Sequence, residues 1–212
     1  MQTVAPFVRH LPAAVLARLA EFDALVASWS QRTSLISAST AAQRAEILFR
    51  DAVEIQRGAW LSPGTRLLDI GAGVGAPAIP LAVMDPSLTL RLVEPRRLRV
   101  AFLRLAIGAL DLAARAEVCE TRLDDDSAAT LAQGCTVAMS RATFAPQQWI
   151  ACSARLAPAC IVFAGAQLPT LPASAQLLHR HSYASAGGGP SRTLLYLRHA
   201  DWAPGNPDGR LG

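Results

Sequence analysis

Three glycines spaced two apart, Gly71, Gly73 and Gly75, follow Asp69 in the run Leu67-Leu68-Asp69-Ile70-Gly71-Ala72-Gly73-Val74-Gly75-Ala76-Pro77. The run starts in a short apolar stretch and leads into a helix-forming segment, the setting of a nucleotide-binding loop. Gly71 permits the tight turn, and Gly73 lets backbone approach a ligand with no Cβ in the way. Glu94 closes the next apolar stretch about 20 residues on, where a carboxylate accepts hydrogen bonds from ribose hydroxyls. Two ligand classes suit this pair. Gly71-x-Gly73-x-x-Ala76 satisfies the dinucleotide pattern, whereas Asp69-x-Gly71-x-Gly73 is the form favoured by Rossmann-like enzymes that bind S-adenosylmethionine. Asp69 itself, Gly75 and a C-terminal hairpin favour the second.

The remaining reactive residue types form no comparable constellation. Asp124-Asp125-Asp126 reads as a solvated loop, because three consecutive acids cannot all point at one ion. Cys119, Cys135, Cys152 and Cys160 lack any C-x-x-C pairing or metal-ligand spacing with histidine and read as small core hydrophobes. No metal site is expected. His10, His179, His181 and His199 read as surface residues, and Trp149 and Trp202 as packing rather than base-stacking groups. Ser140 lies in no nucleophile elbow, which argues against hydrolase chemistry.

The elements that must position the loop follow from periodicity. Leu11, Val15, Leu19, Phe22, Val26 and Trp29 recur at helical spacing and predict a helix over 11–30; a second over 39–58 opens after the caps Ser39 and Thr40. Short apolar runs at 66–70, 88–94, 116–119, 136–139 and 159–163 alternate with helices over 77–84, 98–110, 127–133 and 146–156. That alternation predicts a mainly parallel α/β sheet. The stretches 176–183 and 192–199, joined by Gly187-Gly188-Gly189-Pro190, predict an antiparallel hairpin that closes one edge. The expected organisation is an N-terminal helical extension over 1–62 packed on a Rossmann-like core over 63–200, with a loose tail over 201–212.

Composition bounds the partners. Of 212 residues 51% are hydrophobic and 17% charged, enough apolar mass for one core and too little charge for disorder. The net charge is +4, and all 20 basic residues are arginine, with no lysine. No Asp or Glu occurs from Ser127 to Ala200, while Arg141, Arg155, Arg180, Arg192 and Arg198 do. A second basic run holds Arg91, Arg96, Arg97, Arg99 and Arg104, opposed in that run by Glu94 alone. Arginine pairs bidentately with phosphate and stacks on bases, so these clusters point to an anionic partner such as RNA. With no signal-peptide h-region and no apolar run of membrane length, a cytoplasmic monomer away from membranes is expected.

Trp29 to Ser37, Asp69 to Ala82, Arg99 to Leu103 and Ser140-Arg141-Ala142 occur in an order that resembles the RsmG/GidB family of bacterial methyltransferases acting on small-subunit ribosomal RNA. The resemblance implies a class I S-adenosylmethionine-dependent fold and transfer to N7 of a guanine. It places cofactor contacts on Asp69, Gly71, Gly73, Gly75 and Pro77, a ribose contact on Glu94, an adenine-flanking loop on Arg122 and Leu123, and the catalytic arginine on Arg141. Attack by N7 needs alignment but no general base, since that nitrogen carries a lone pair and no proton. Three positions depart from the family pattern: Ala164 stands where the family has lysine, Asp51, Glu54 and Ile55 replace most of its R-H-x-x-D-S helix motif, and Ala78 replaces a glycine. The first two would face substrate, so a small-molecule acceptor is the alternative reading, and a non-catalytic binding protein a third.

Overall fold

A computed structural model describes residues 6–31, 33, 35–185, 189–200 and 202. A single 3-10 turn, Pro6–Val8, precedes helices α1 (Ala13–Ser30) and α2 (Ala41–Arg57). The boundaries follow local chemistry. Pro12 stands just before α1, and the Thr40 hydroxyl accepts the Gln43 N–H at 3.2 Å to cap α2. Then come β1 (Arg66–Ile70), α3 (Ala78–Met84), β2 (Thr89–Val93), α4 (Arg97–Ala109), β3 (Ala116–Cys119), α5 (Asp125–Ala132), β4 (Val137–Ser140), α6 (Pro146–Ser153), β5 (Ala159–Ala164), β6 (Ala175–Ala184) and β7 (Ser191–His199).

The seven strands form one sheet in the order β3-β2-β1-β4-β5-β7-β6. The first five are mutually parallel, and β7 runs antiparallel to both β5 and β6. The expected parallel sheet with a terminal hairpin is therefore present. The central strands β1 and β4 are buried on both faces, as the unbroken apolar runs Leu67-Leu68 and Val137-Ala138-Met139 require. One face of the sheet is covered by the N-terminal helices together with α3 and α4. Phe22, Phe49, Phe102 and Trp29 meet there with ring centroids 5.7–6.4 Å apart. The other face is covered by α5 and α6, with Leu131, Trp149 and Ile150 in its core. Trp149 is a core residue, its Nε1 donating to the Ile161 carbonyl at 2.9 Å.

This strand order fixes where a ligand can sit. From β1 the chain winds outward to β2 and β3, then returns to β4 on the other side of β1 and winds outward to β5. The crevice where the order reverses opens at the carboxyl ends of β1 and β4, the preferred ligand position in an open α/β sheet.

Several expectations needed correction. The acids Asp124–Asp126 are not a loop. Asp124 caps α5 by accepting the Ser127 N–H at 2.8 Å, and Asp125 and Asp126 occupy the first turn, where carboxylates stabilise the exposed N–H groups of the helix end. His199 is not a surface residue. It lies buried on β7 with its Nε2 3.0 Å from Ser153 Oγ, and burial lowers its pKa. The basic run does not form one opposed surface: Arg91 pairs with Glu117, and Arg97 and Arg104 both approach Glu120. Helix α6 ends at Ser153, short of the expected 156. The Gly187-Gly188 part of the hairpin turn, Asp201 and 203–212 of the expected tail lie outside the described residues.

Candidate active site

The glycine loop leaves β1 at its carboxyl end and folds over the top of β2. The Gly71 and Ala72 N–H groups both donate to the Val93 carbonyl, at 2.8 and 3.0 Å. Side chains are excluded at two of the glycines. A Cβ on Gly71, at φ +75°, would lie 2.1 Å from Thr143 Oγ1, and one on Gly75, at φ +81°, would lie 2.4 Å from Ile79 Cδ1. The loop therefore lies flat against the turn after β4 on one side and against α3 on the other. The Ala76–Pro77 peptide is cis, and Pro77 leads directly into α3.

Glu94 sits one residue past β2, almost fully buried, and ties the loop to the sheet. Its Oε2 accepts the Gly73 N–H at 3.0 Å and its Oε1 the Arg96 N–H at 2.9 Å. Arg99 approaches the same carboxylate at 3.8 Å. Each oxygen keeps a lone pair for a further donor, which suits a ribose diol. Asp69 lies deeper, 2% exposed, and its Oδ2 has no hydrogen-bond partner among the described residues. Burial pushes its carboxyl up to about 7; Arg141 draws it back and Glu94 adds to the rise. An unpartnered carboxylate beneath a glycine loop suits a ligand with a cationic group. Arg122 is exposed and Leu123 partly buried in the segment between β3 and α5, beside the same end of the sheet.

Arg141 follows β4 directly, and Ala142 takes a left-handed φ of 62° that turns the chain back under the loop. Ser140 Oγ donates to the Ile70 carbonyl at 2.7 Å and locks the ends of β4 and β1 together. The Arg141 guanidinium then reaches α2, where its Nη1 donates to the Ile47 carbonyl at 2.7 Å and to Asp51 Oδ2 at 2.8 Å. Asp51 is 2% exposed and gathers more than Arg141. The Tyr183 hydroxyl of β6 donates to its Oδ1, and Arg192 Nη1 of β7 stands 3.4 Å from that oxygen. Burial and the adjacent Asp51 charge keep the Tyr183 phenol protonated far above its ordinary range. One turn along α2, Glu54 holds Arg50 at 2.9 Å and His181 Nε2 at 2.9 Å, and the Arg50 guanidinium lies over the Tyr183 ring at 5.1 Å.

Two groups of predicted residues thus lie at the same end of the sheet: the loop with Glu94, and Arg141. The second connects through Asp51 to Tyr183 and to Arg192 of the acid-free basic stretch, and Glu46 lies within electrostatic reach of Arg192; spacing singled out neither Tyr183 nor Glu46 as functional. Only Glu46 left a readable trace. It is an acid on a helix stretch that buries Ala45, Leu48, Phe49, Ala52 and Val53, together with the further acids Asp51 and Glu54. Ala164 ends β5 opposite Thr193, buried and uncharged.

Residues 15–163 match the family described as GidB, rRNA small subunit methyltransferase G. The chain is 31% identical over 192 residues to the ribosomal RNA small subunit methyltransferase G of Chromohalobacter salexigens, covering 86% of this chain and 88% of that protein. It is 35% identical over 109 residues to the enzyme of the same name from Roseiflexus castenholzii, covering 48% of this chain and 45% of that protein. Among solved structures, a SAM-dependent methyltransferase from Geobacter sulfurreducens in complex with S-adenosyl-L-homocysteine superposes with a TM-score of 0.55 at 11% identity, over 83% of this chain and 98% of that one. That likeness bears on the fold, and the loop, strand order and terminal hairpin agree with it. The chain belongs to the GidB family of rRNA small subunit methyltransferases.

Proposed function

We propose that this chain transfers a methyl group from S-adenosylmethionine to N7 of a guanine in small-subunit ribosomal RNA, in the cytoplasm. The observation that carries the reading is the pair of arginines held by the buried Asp51 at the acceptor end of the sheet. Arg141 and Arg192 each engage the carboxylate through Nη1, and both side chains keep part of their surface exposed. Two guanidiniums anchored in this way suit the phosphates flanking an acceptor nucleotide.

Bound at the loop, S-adenosylmethionine supplies an electrophilic methyl group on a sulfonium. Asp69, Gly71, Gly73, Gly75 and Pro77 shape its seat, and the Asp69 carboxylate offers its free oxygen to the cationic portion. Glu94 accepts the ribose hydroxyls, and Arg122 and Leu123 flank the adenine. Arg141 and Arg192 orient the acceptor. No residue needs to remove a proton, because guanine N7 attacks with its lone pair; alignment and exclusion of water are the protein's task. The target guanine must be splayed out of its RNA stack to reach the crevice.

Small ribosomal subunits lacking the modification, incubated with the protein and methyl-labelled S-adenosylmethionine, test the reading. Label should appear in the RNA at a guanine whose strand becomes cleavable after reduction and aniline treatment, the signature of 7-methylguanosine. Absence of label in RNA, with cofactor binding intact by calorimetry, would sink the RNA reading and leave the small-molecule acceptor standing.

A further inference from the structure

Glu46 is 7% exposed, and both of its carboxylate oxygens are buried with no hydrogen-bond partner among the described residues. A carboxylate in that state has lost its hydration without replacement, which native proteins accept where a ligand or function completes the site. Its neighbours place it on the acceptor side. The next residue, Ile47, gives its carbonyl to Arg141, and Asp51 further along the same helix binds Arg141, Arg192 and Tyr183. Burial works against the charge on Arg192, yet Asp51, Tyr183 and Glu46 together hold that guanidinium above its ordinary pKa. A second unmet group lies one turn from Glu46: Arg50 Nε has no hydrogen bond of good geometry despite its ion pair with Glu54.

We propose that Glu46 reads the acceptor base, its two oxygens accepting the N1–H and one N2–H of guanine while the N7 edge faces the cofactor loop. An ionised carboxylate can only accept hydrogen bonds. Among the four RNA bases, guanine alone presents two adjacent N–H donors on one edge, so a bidentate carboxylate selects it. Adenine and cytosine would each set a ring nitrogen lone pair against a Glu46 oxygen, and uracil would set a carbonyl there. Arg192, whose guanidinium Glu46 helps to hold above its ordinary pKa, is the cation beside this acid. The inference rests on the guanine methyl-transfer reading above.

The test uses the full-length protein and RNA altered at one atom group. The labelled guanine is first mapped on the wild-type product. Ligated small-subunit RNA is then prepared with inosine at that position, which lacks the 2-amino group but keeps N1–H and N7. Wild type should lose about 10-fold in kcat/KM on inosine, the worth of one hydrogen bond to a charged group. Glu46→Gln, whose amide sets an NH2 donor against a guanine N–H donor and keeps a single acceptor oxygen, should lose about 10- to 100-fold on guanine and show a smaller inosine penalty than wild type. Its S-adenosylmethionine affinity and melting temperature should not fall. Glu46→Asp, which keeps a carboxylate, should be slower than wild type yet retain a preference for guanine over inosine. An inosine penalty of equal size in wild type and Glu46→Gln, or no penalty in wild type, overturns the proposal while leaving guanine methylation intact. Failure of wild type to label guanine removes the ground for both.

Discussion

Replacing Asp69 by asparagine separates the stability cost of this carboxylate from its use. Its carboxyl is held near pH 7 against an ordinary value of 3.8, chiefly by burial. A gap of about three units corresponds to roughly 4 kcal/mol that the folded chain forfeits when Asp69 is ionised. The sign follows from proton counting. Between pH 4 and pH 7 the folded state binds more protons at this site than the unfolded state, so stability falls as pH rises through that window and levels off above it. The asparagine variant lacks this dependence. Relative to wild type it should be about equal near pH 4, and should gain about 3 kcal/mol from pH 4.5 to pH 8. For a domain of this size that is a relative rise in melting temperature of about 6–12 °C, readable by thermal melts across a buffer series. Cofactor affinity should move the other way. In wild type it strengthens as pH rises through 7 and Asp69 ionises toward the cationic ligand; in the variant it should be weaker by about 10-fold at pH 8, the worth of a single charged contact, and flat with pH. A melting difference that does not change with pH would refute the account of Asp69 as a desolvated carboxylate.

Other perturbations follow from the same geometry. Gly75→Val places a β-branched side chain at φ +81° with its Cβ against Ile79 and Leu103; it should cost at least 2–3 kcal/mol in denaturant titration, roughly, and abolish cofactor binding by calorimetry. Asp51→Ala strands Arg141, Arg192 and the Tyr183 hydroxyl together and should destabilise by about 2–4 kcal/mol, less than a wholly buried pair because both arginines are partly exposed. Trp149→Phe removes the Nε1 bond to Ile161 and should cost about 1–2 kcal/mol in the same titration, with cofactor affinity unchanged.

What could be read from the chain was what its near neighbours determine. The loop, Glu94 and Pro77 lie within one strand–turn–helix–strand unit, and their spacing reflects the turn over the end of β2 that the Gly71 and Ala72 N–H groups make on Val93. The hairpin was legible because two alternating runs flank a glycine-rich turn. Asp51 and Tyr183 are 132 positions apart in sequence, and nothing local to either announces that one carboxylate will hold both a phenol and two guanidiniums. His199 was misread for the same reason. It looked polar in isolation, but its alternation on β7 sends it to the face occupied by Leu195, Leu197 and α6, where Ser153 meets it. The three acids at 124–126 were misread because a helix cap and a solvated loop have the same composition; the difference lies in Ser127, whose hydroxyl and N–H close the capping box on Asp124.

Counting arginines overstated how many are free to meet RNA, and the excess can be measured. Arg155 and Arg192 both belong to the acid-free stretch and look equivalent in the sequence. In the fold, Arg155 Nη1 lies 2.6 Å from Asp125 Oδ1, which pairs its charge one to one. Arg192 instead shares a carboxylate with Arg141 and stands beside the acceptor end of β5, one residue before Thr193, the partner of Ala164. Ala164 carries no charge, so Arg141 and Arg192 are the cations that the strand ends present around Asp51. Arg155→Ala and Arg192→Ala remove the same charge from the molecule, and a long-range electrostatic account predicts equal losses of RNA affinity. The local account predicts a less than twofold change for Arg155→Ala. For Arg192→Ala it predicts a loss of about 10-fold and a drop of roughly 0.7–0.9 in the slope of log affinity against log salt, as expected when one phosphate contact disappears. Filter binding of small-subunit RNA over a salt series distinguishes them, and equal slopes for the two variants would mean that Arg192 contributes only its share of the net charge.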